Sequence, residues 1–342
     1  MFIVRICGKL RGKINKKSHG ENIVGKVFKA AVTFTVAACM FISYVGAENK
    51  SYIKWVDFKV TAQALSDAAA LDIGGYGKDG HVGWIDALAH LGAKYGGDFS
   101  RYKKSDLSDA FAKLSADPSV FDEEKYYSYY RQAYGAVLSG WLGEYYVHGG
   151  DGSLIKKYGI KAFSPIAGGY YYSDYDDFGV SRSYGYRRRH LGHDMLSSVG
   201  TPIIAMESGY VEAVGWNMYG GWRIGIRSFD GLRYYYYAHL RKDHPYCGDI
   251  KEGETVYAGQ VIGYLGMTGY STKKNVNNIN VPHLHVGMQL IFDPCQKDGV
   301  NQIWIDMYAI TNFLSKYRSY VCKGENGEYK AKNPTEDFSL PD

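Results

Sequence analysis

With 342 residues and a hydrophobic share of 46%, the chain can bury a sizeable core across two domains, and a disordered chain is excluded. The formal charge of +5 is concentrated at one end: residues 1–47 hold eight Lys or Arg and one acid, Glu21. The rest is slightly acidic and lacks the clustered basic charge that a nucleic-acid partner requires, so no nucleic acid is expected.

Residues 1–47 read as a targeting segment. A basic stretch precedes AAVTFTVAACMFISYVGA (30–47), which carries no charge and ends in small residues. That order predicts a secretory signal peptide cleaved after Val45-Gly46-Ala47. The run is also long enough for an uncleaved membrane anchor through residues 30–47. Both readings place the folded part outside the cytoplasm, secreted or anchored to the cytoplasmic membrane. Cys7 and Cys39 belong to this leader. The remaining Cys247, Cys295 and Cys322 cannot all pair with one another, and without a CxxC no thiolate zinc site is expected.

Residues 48–150 are expected to be a mostly helical domain of unassigned role. VTAQALSDAAALDI, GWIDALAHLGAKYG and SDLSDAFAKLSA space their apolar residues at helical intervals, with Ser105 as an N-cap. The tyrosine-rich stretch FDEEKYYSYYRQAYGAVLSGWLGEYY also reads as helix. HGGDGS (148–153) marks a boundary.

Beyond it the period shortens. GYVEAVGW (209–216), WRIGIRS (222–228), LRYYYYAHL (232–240) and HLHVGMQL (283–290) alternate like strands, and Phe229-Asp230-Gly231 predicts a hairpin turn. The expected fold is α+β: a helical N-terminal region, then an antiparallel sheet or β-sandwich over 151–322. An amphipathic helix is expected at 304–317, followed by a loose polar tail over 323–342.

Six of the ten histidines fall between His190 and His285, four of them in HLGHDM (190–195) and PHLHVG (282–287). His190 and Asp194, four apart across a glycine, can converge on one point from a strand-to-turn segment, with His193 as a competitor. On a strand, His283 and His285 face one side, which suits two metal ligands or one ligand and a catalytic neighbour. His239, in Tyr-Ala-His-Leu, ends another strand-like run. His81 and His90 lack an acid at ligand spacing and read as ordinary core or surface histidines. Imidazole plus carboxylate is a usual zinc ligand set. The absence of HExxH removes the helix-borne zinc protease.

Taken together, His190-x-x-x-Asp194, His239, His283-x-His285, GTPIIA (200–205), GYVEAVG (209–215) and the glycine framework from Lys251 to Gly269 resemble the M23 metallopeptidases, the cell-wall endopeptidases of the lysostaphin and LytM type. The likeness covers roughly residues 160 to 295. It implies a LytM-like fold, one zinc ion bound by His190, Asp194 and His285, and catalytic roles for His239 and His283. Tyr184, six residues before the first ligand and close to Tyr186, is the implied substrate-binding tyrosine. The implied activity is hydrolysis of peptide cross-links in bacterial peptidoglycan by an exported zinc metallo-endopeptidase. The alternative is a catalytically silent scaffold or activator of other wall hydrolases, a type that typically lacks one or more ligands.

Overall fold

The computed structural model describes residues 53–337 except 185, together with the backbone but not the side chains of 184 and 186. The leader therefore lies outside the described residues. Among those described, no helix is long and apolar enough to cross a membrane.

Four helices come first: α1 (Ala62–Gly75), α2 (Trp84–Tyr95), α3 (Lys104–Ala116) and α4 (Tyr127–Leu138). Thr61 caps α1 by accepting from the Ala64 N–H, and Gly96 ends α2 in the left-handed region at φ 65°. Ser105 lies inside α3, whose N-cap is Lys103. The tyrosine-rich stretch is helical only over α4. At Gly140 the backbone passes so close to Glu207 and Arg233 that a Cβ would meet Glu207 Oε1 at 1.7 Å. The chain turns there and enters β1 (Leu142–His148), which pairs with β2 (Leu154–Ile160). HGGDGS is thus the tip of this hairpin.

The remaining strands are β3 (Ser181–Tyr184), β4 (Tyr186–Arg189), β5 (His193–Leu196), β6 (Pro202–Ile204), β7 (Gly209–Asn217), β8 (Gly221–Ser228), β9 (Arg233–Ala238), β10 (Thr255–Val256), β11 (Val261–Tyr264), β12 (His283–Leu290) and β13 (Ile303–Ile305). The helix expected over 304–317 is shorter: β13 takes its start and α5 (Tyr308–Leu314) follows. Ile303–Ile305 pairs with Met288–Leu290, so an available sheet edge overrides the helical pattern. The tail is ordered by a hairpin of β14 (Val321–Lys323) and β15 (Tyr329–Ala331), and β16 (Thr335–Glu336) pairs with β1.

The principal sheet runs β10-β7-β8-β9-β12-β13, all antiparallel, and β5 also pairs with β12. One edge of β12 lies along β9. Its other edge is divided: His283–Val286 faces β5, and Met288–Leu290 faces β13. The α+β reading and the four expected strand runs are matched by this arrangement.

Side chains alternate across the sheet. Leu284, Val286, Met288 and Leu290 of β12 and Tyr235 and Tyr237 of β9 are buried on one face, in a core shared with the helices. Trp141 Nε1 donates to Tyr235 Oη at 2.9 Å. Arg233, 1% exposed, donates to Glu207 at 2.8 and 2.9 Å and to the Ala136 carbonyl of α4 at 2.8 Å. Burying this cation is tolerable because its donors are met.

Candidate metal centre and groove

The opposite face of the sheet carries the clustered histidines. His285 on β12 is paired with Asp194 on β5. His190, just before β5, reaches the same point. His190 Nε2 lies 3.0 Å from Asp194 Oδ1 and 2.8 Å from His285 Nδ1, and His285 Nδ1 lies 3.0 Å from Asp194 Oδ1. These three atoms form a group able to hold a metal ion. The approach depends on Gly192, where a Cβ would meet the His285 ring at 2.6 Å.

His190 Nδ1 faces only acceptors, the Asp177 carbonyl at 3.1 Å and Asp177 Oδ2 at 3.0 Å, so it carries the proton and Nε2 presents a lone pair. Arg182 Nη2 joins Asp177 Oδ2 at 2.7 Å to the outer oxygen of Asp194, Oδ2, at 3.2 Å. Burial disfavours ionised Asp194, but the imidazoles of His190, His285 and His283 crowded around it outweigh that cost, holding its pKa well below the usual carboxylate range. Burial lowers the His285 pKa, against the opposing pull of Asp194.

His283 and His239 flank this group. Their ring centroids are 4.8 Å apart, and His239 lies 5.9 Å from His285. His283 Nδ1 donates to the Val281 carbonyl at 2.8 Å and His239 Nδ1 to the Thr268 carbonyl at 2.9 Å. A carbonyl can only accept, so in both rings Nδ1 carries a proton and Nε2 is the nitrogen left to exchange one. His283 Nε2 stands 3.7 Å from Asp194 Oδ1. His239 follows β9 at φ 63°, rare for a residue with a side chain, and its backbone is held by bonds to Gly220 O (2.7 Å) and from Gly266 N (3.0 Å). Burial, then the charges of His283 and His285, push its pKa well below the ordinary histidine value.

The structure thus brings His190, Asp194, His239, His283 and His285 together. His193 points to the other face of β5, is buried, and pairs with Asp174 at 2.8 Å. Tyr184 ends β3, and its side chain lies outside the described residues. His81 and His90 pair with Asp72 and Glu124, each at 2.7 Å, far from this centre in the helical region. Asp177 and Arg182 were not expected from sequence, because SDYDDFG offers several acids and no spacing that selects one. Thr268 is legible as the threonine of the glycine framework.

The candidate metal centre opens into a cavity of about 580 Å³ along the sheet face, lined among others by Asn217, Arg223, Tyr234, Tyr236, Tyr270 and Gln289. Asn217 Nδ2 donates to Tyr236 Oη at 3.0 Å. Arg188 of β4 stacks over Tyr219 and Tyr270 with its guanidinium carbon 4.8 and 5.1 Å from their ring centres. The β3–β4 hairpin is thereby clasped to the groove rim.

Residues 188–300 match the family model described as "Peptidase family M23". The L-Ala–D-Glu endopeptidase of Bacillus subtilis is 42% identical over 117 residues, which cover 34% of this chain and 34% of that protein. Lysostaphin of Staphylococcus simulans is 41% identical over 97 residues, covering 28% of this chain and 17% of that protein. The chain therefore spans about a third of the first relative's length and less than a fifth of the second's. Among solved structures, a lytM protein of Ruminococcus gnavus aligns over 77% of this chain and 91% of its own with a TM-score of 0.51 at 22% identity, a likeness of fold.

Proposed function

We propose that the chain, whose residues 188–300 match the model of peptidase family M23, is an exported zinc endopeptidase that hydrolyses peptide bonds in bacterial peptidoglycan. The observation that carries this reading is the meeting of His190 Nε2, Asp194 Oδ1 and His285 Nδ1 within 2.8–3.0 Å at the head of a groove, with two further imidazoles beside them. Two imidazole nitrogens and one carboxylate oxygen are a fitting donor set for a single zinc ion with one position left open. Zinc bound there supplies a Lewis acid and lowers the pKa of a water to about 7.

The chain's own groups do the rest. His239 and His283, each with Nδ1 tied to a carbonyl, hold Nε2 ready to take a proton from the attacking water and return it to the leaving amine. The depressed pKa of His239 keeps its ring neutral near pH 7. Asp177 and Arg182 fix the orientation of His190 and Asp194. The groove receives the peptide in extended form, with Tyr184 proposed as a substrate contact near the reacting carbonyl. The basic and apolar leader supports delivery to the wall, secreted or anchored through residues 30–47. A silent scaffold is not favoured, since all five metal and catalytic side chains are present.

The test is incubation of the full chain with isolated peptidoglycan, with and without a chelator, and mass spectrometry of the released fragments. New free amino termini that vanish with chelator and return with zinc are expected. The Bacillus subtilis relative is named for an L-Ala–D-Glu bond, so walls containing that bond belong in the panel. Zinc-loaded protein that cuts no wall type would defeat the reading.

A further inference from the structure

Most charged side chains in the groove are already spoken for. Arg227 donates to Glu212 at 2.6 and 2.9 Å, and Lys297 reaches the same carboxylate at 2.9 Å. Arg182 is held by Asp177 and Asp194, Arg188 is stacked on two tyrosines, and Arg189 stands exposed. Arg223 differs. It lines the cavity on β8, and its Nε is a buried donor with no hydrogen-bond partner among the described residues. No carboxylate among the described residues pairs with this guanidinium, so at the edge of the cavity it is a natural place for a ligand to supply an acceptor.

Its position relative to the metal centre is set by the sheet. Arg223 immediately precedes the β8–β9 pair Ile224↔Tyr237, and His285 pairs with Ala238 across β9–β12. Arg223 therefore lies on the face shared with His285, two strands away, about 10 Å at sheet level. In the row that joins them stands only the small side chain of Ala238 on β9. An extended peptide rises about 3.3 Å per residue, so that gap spans about three residues.

We propose that Arg223 is a specificity-determining residue that binds a free carboxylate of the substrate peptide, about three residues from the bond cut. This rests on the peptidase reading and names the chemical class of its substrate as an acidic peptide. The planar fork of arginine matches a carboxylate bidentately, and its amidated counterpart lacks the charge that makes such bonds strong.

The experiment uses the zinc-loaded full chain and two peptidoglycan-type peptides that differ only in whether the acidic residue bears a carboxylate or a carboxamide. Wild type should favour the carboxylate at least about tenfold in kcat/KM and in Kd. In Arg223→Gln that ratio should fall to near one, in Arg223→Lys it should be intermediate, and in Arg223→Glu it should drop below one. Zinc content and Tm of each variant separate loss of recognition from loss of fold. If wild type binds with the expected ratio but cleaves neither peptide, the hydrolase reading fails while the Arg223 assignment stands. A wild-type ratio near one, or a ratio that persists in Arg223→Gln, overturns the assignment.

Discussion

Asp177 Oδ2 lies 3.0 Å from His190 Nδ1, and the Asp177 side chain is fully buried. The carboxylate is thus the group that fixes which nitrogen of His190 carries the proton and where the other one points. Such outer partners typically contribute about 10–100-fold to metal affinity. Asp177→Ala should lower zinc affinity by about that factor, read by competition with a chromogenic chelator. Unchanged affinity in a folded variant would show that the Asp177 carbonyl alone orients the ring.

The two histidines of HLH should separate by role. His285→Ala removes an inner donor and should lose the metal. His283→Ala should retain it, because its Nε2 stands 3.7 Å from Asp194 Oδ1 and outside the three-atom group, yet lose about 10²–10⁴-fold in turnover. Zinc content by mass spectrometry beside wall hydrolysis decides the point, and equal zinc loss in both variants would refute the division.

Gly192→Ala should damage the centre without touching a titratable group. The added Cβ would sit 2.6 Å from the His285 ring and 2.8 Å from the Val286 carbonyl, which is backbone and cannot move aside cheaply. A loss of about 1–3 kcal/mol in stability together with weaker zinc binding is expected, measured by denaturant unfolding and chelator competition.

In the metal-free chain, acid should destabilise the fold earlier than carboxylate protonation alone would. The His239 and His285 pKa values are both depressed, chiefly by burial. Below the unfolded-state value of about 6.5 the unfolded chain binds protons that these folded rings refuse. Their contribution is therefore complete above that pH and declines as pH falls toward the folded values, by up to about 1.4 kcal/mol per pH unit for each group. Urea unfolding of the metal-free chain between pH 7.5 and 5.5 should show this slope, and His239→Gln should reduce it. A flat profile would contradict the burial argument.

Much of the sheet was legible because its signal is local. Period-two alternation delimits β7, β8, β9 and β12 almost to the residue, and the i, i+2 rule puts His283 and His285 on one face. The convergence with His190 and Asp194 follows from strand pairing, which only the family resemblance anticipated. What escaped the sequence depends on distant partners. β1 resembles the end of a helix until Gly140 meets Glu207 and Arg233, and Ile303–Ile305 resembles the start of one until β12 offers an edge. Asp177 is one acid among several in its segment. Arg223 is unremarkable in a string of strand residues, and its missing partner is a property of the folded groove.

The bond from Arg233 to the Ala136 carbonyl, and that from Trp141 to Tyr235, carry a practical meaning for anyone dissecting this chain. The segment up to Trp141 shares a core with the sheet face opposite the candidate metal centre. A fragment trimmed to the family-matched residues 188–300 would keep His190, Asp194, His239, His283 and His285 but would take Trp141 from Tyr235 and the Ala136 carbonyl from Arg233. The side chains proposed for the chemistry thus stand on a sheet whose other face is covered in part by a segment outside the family match.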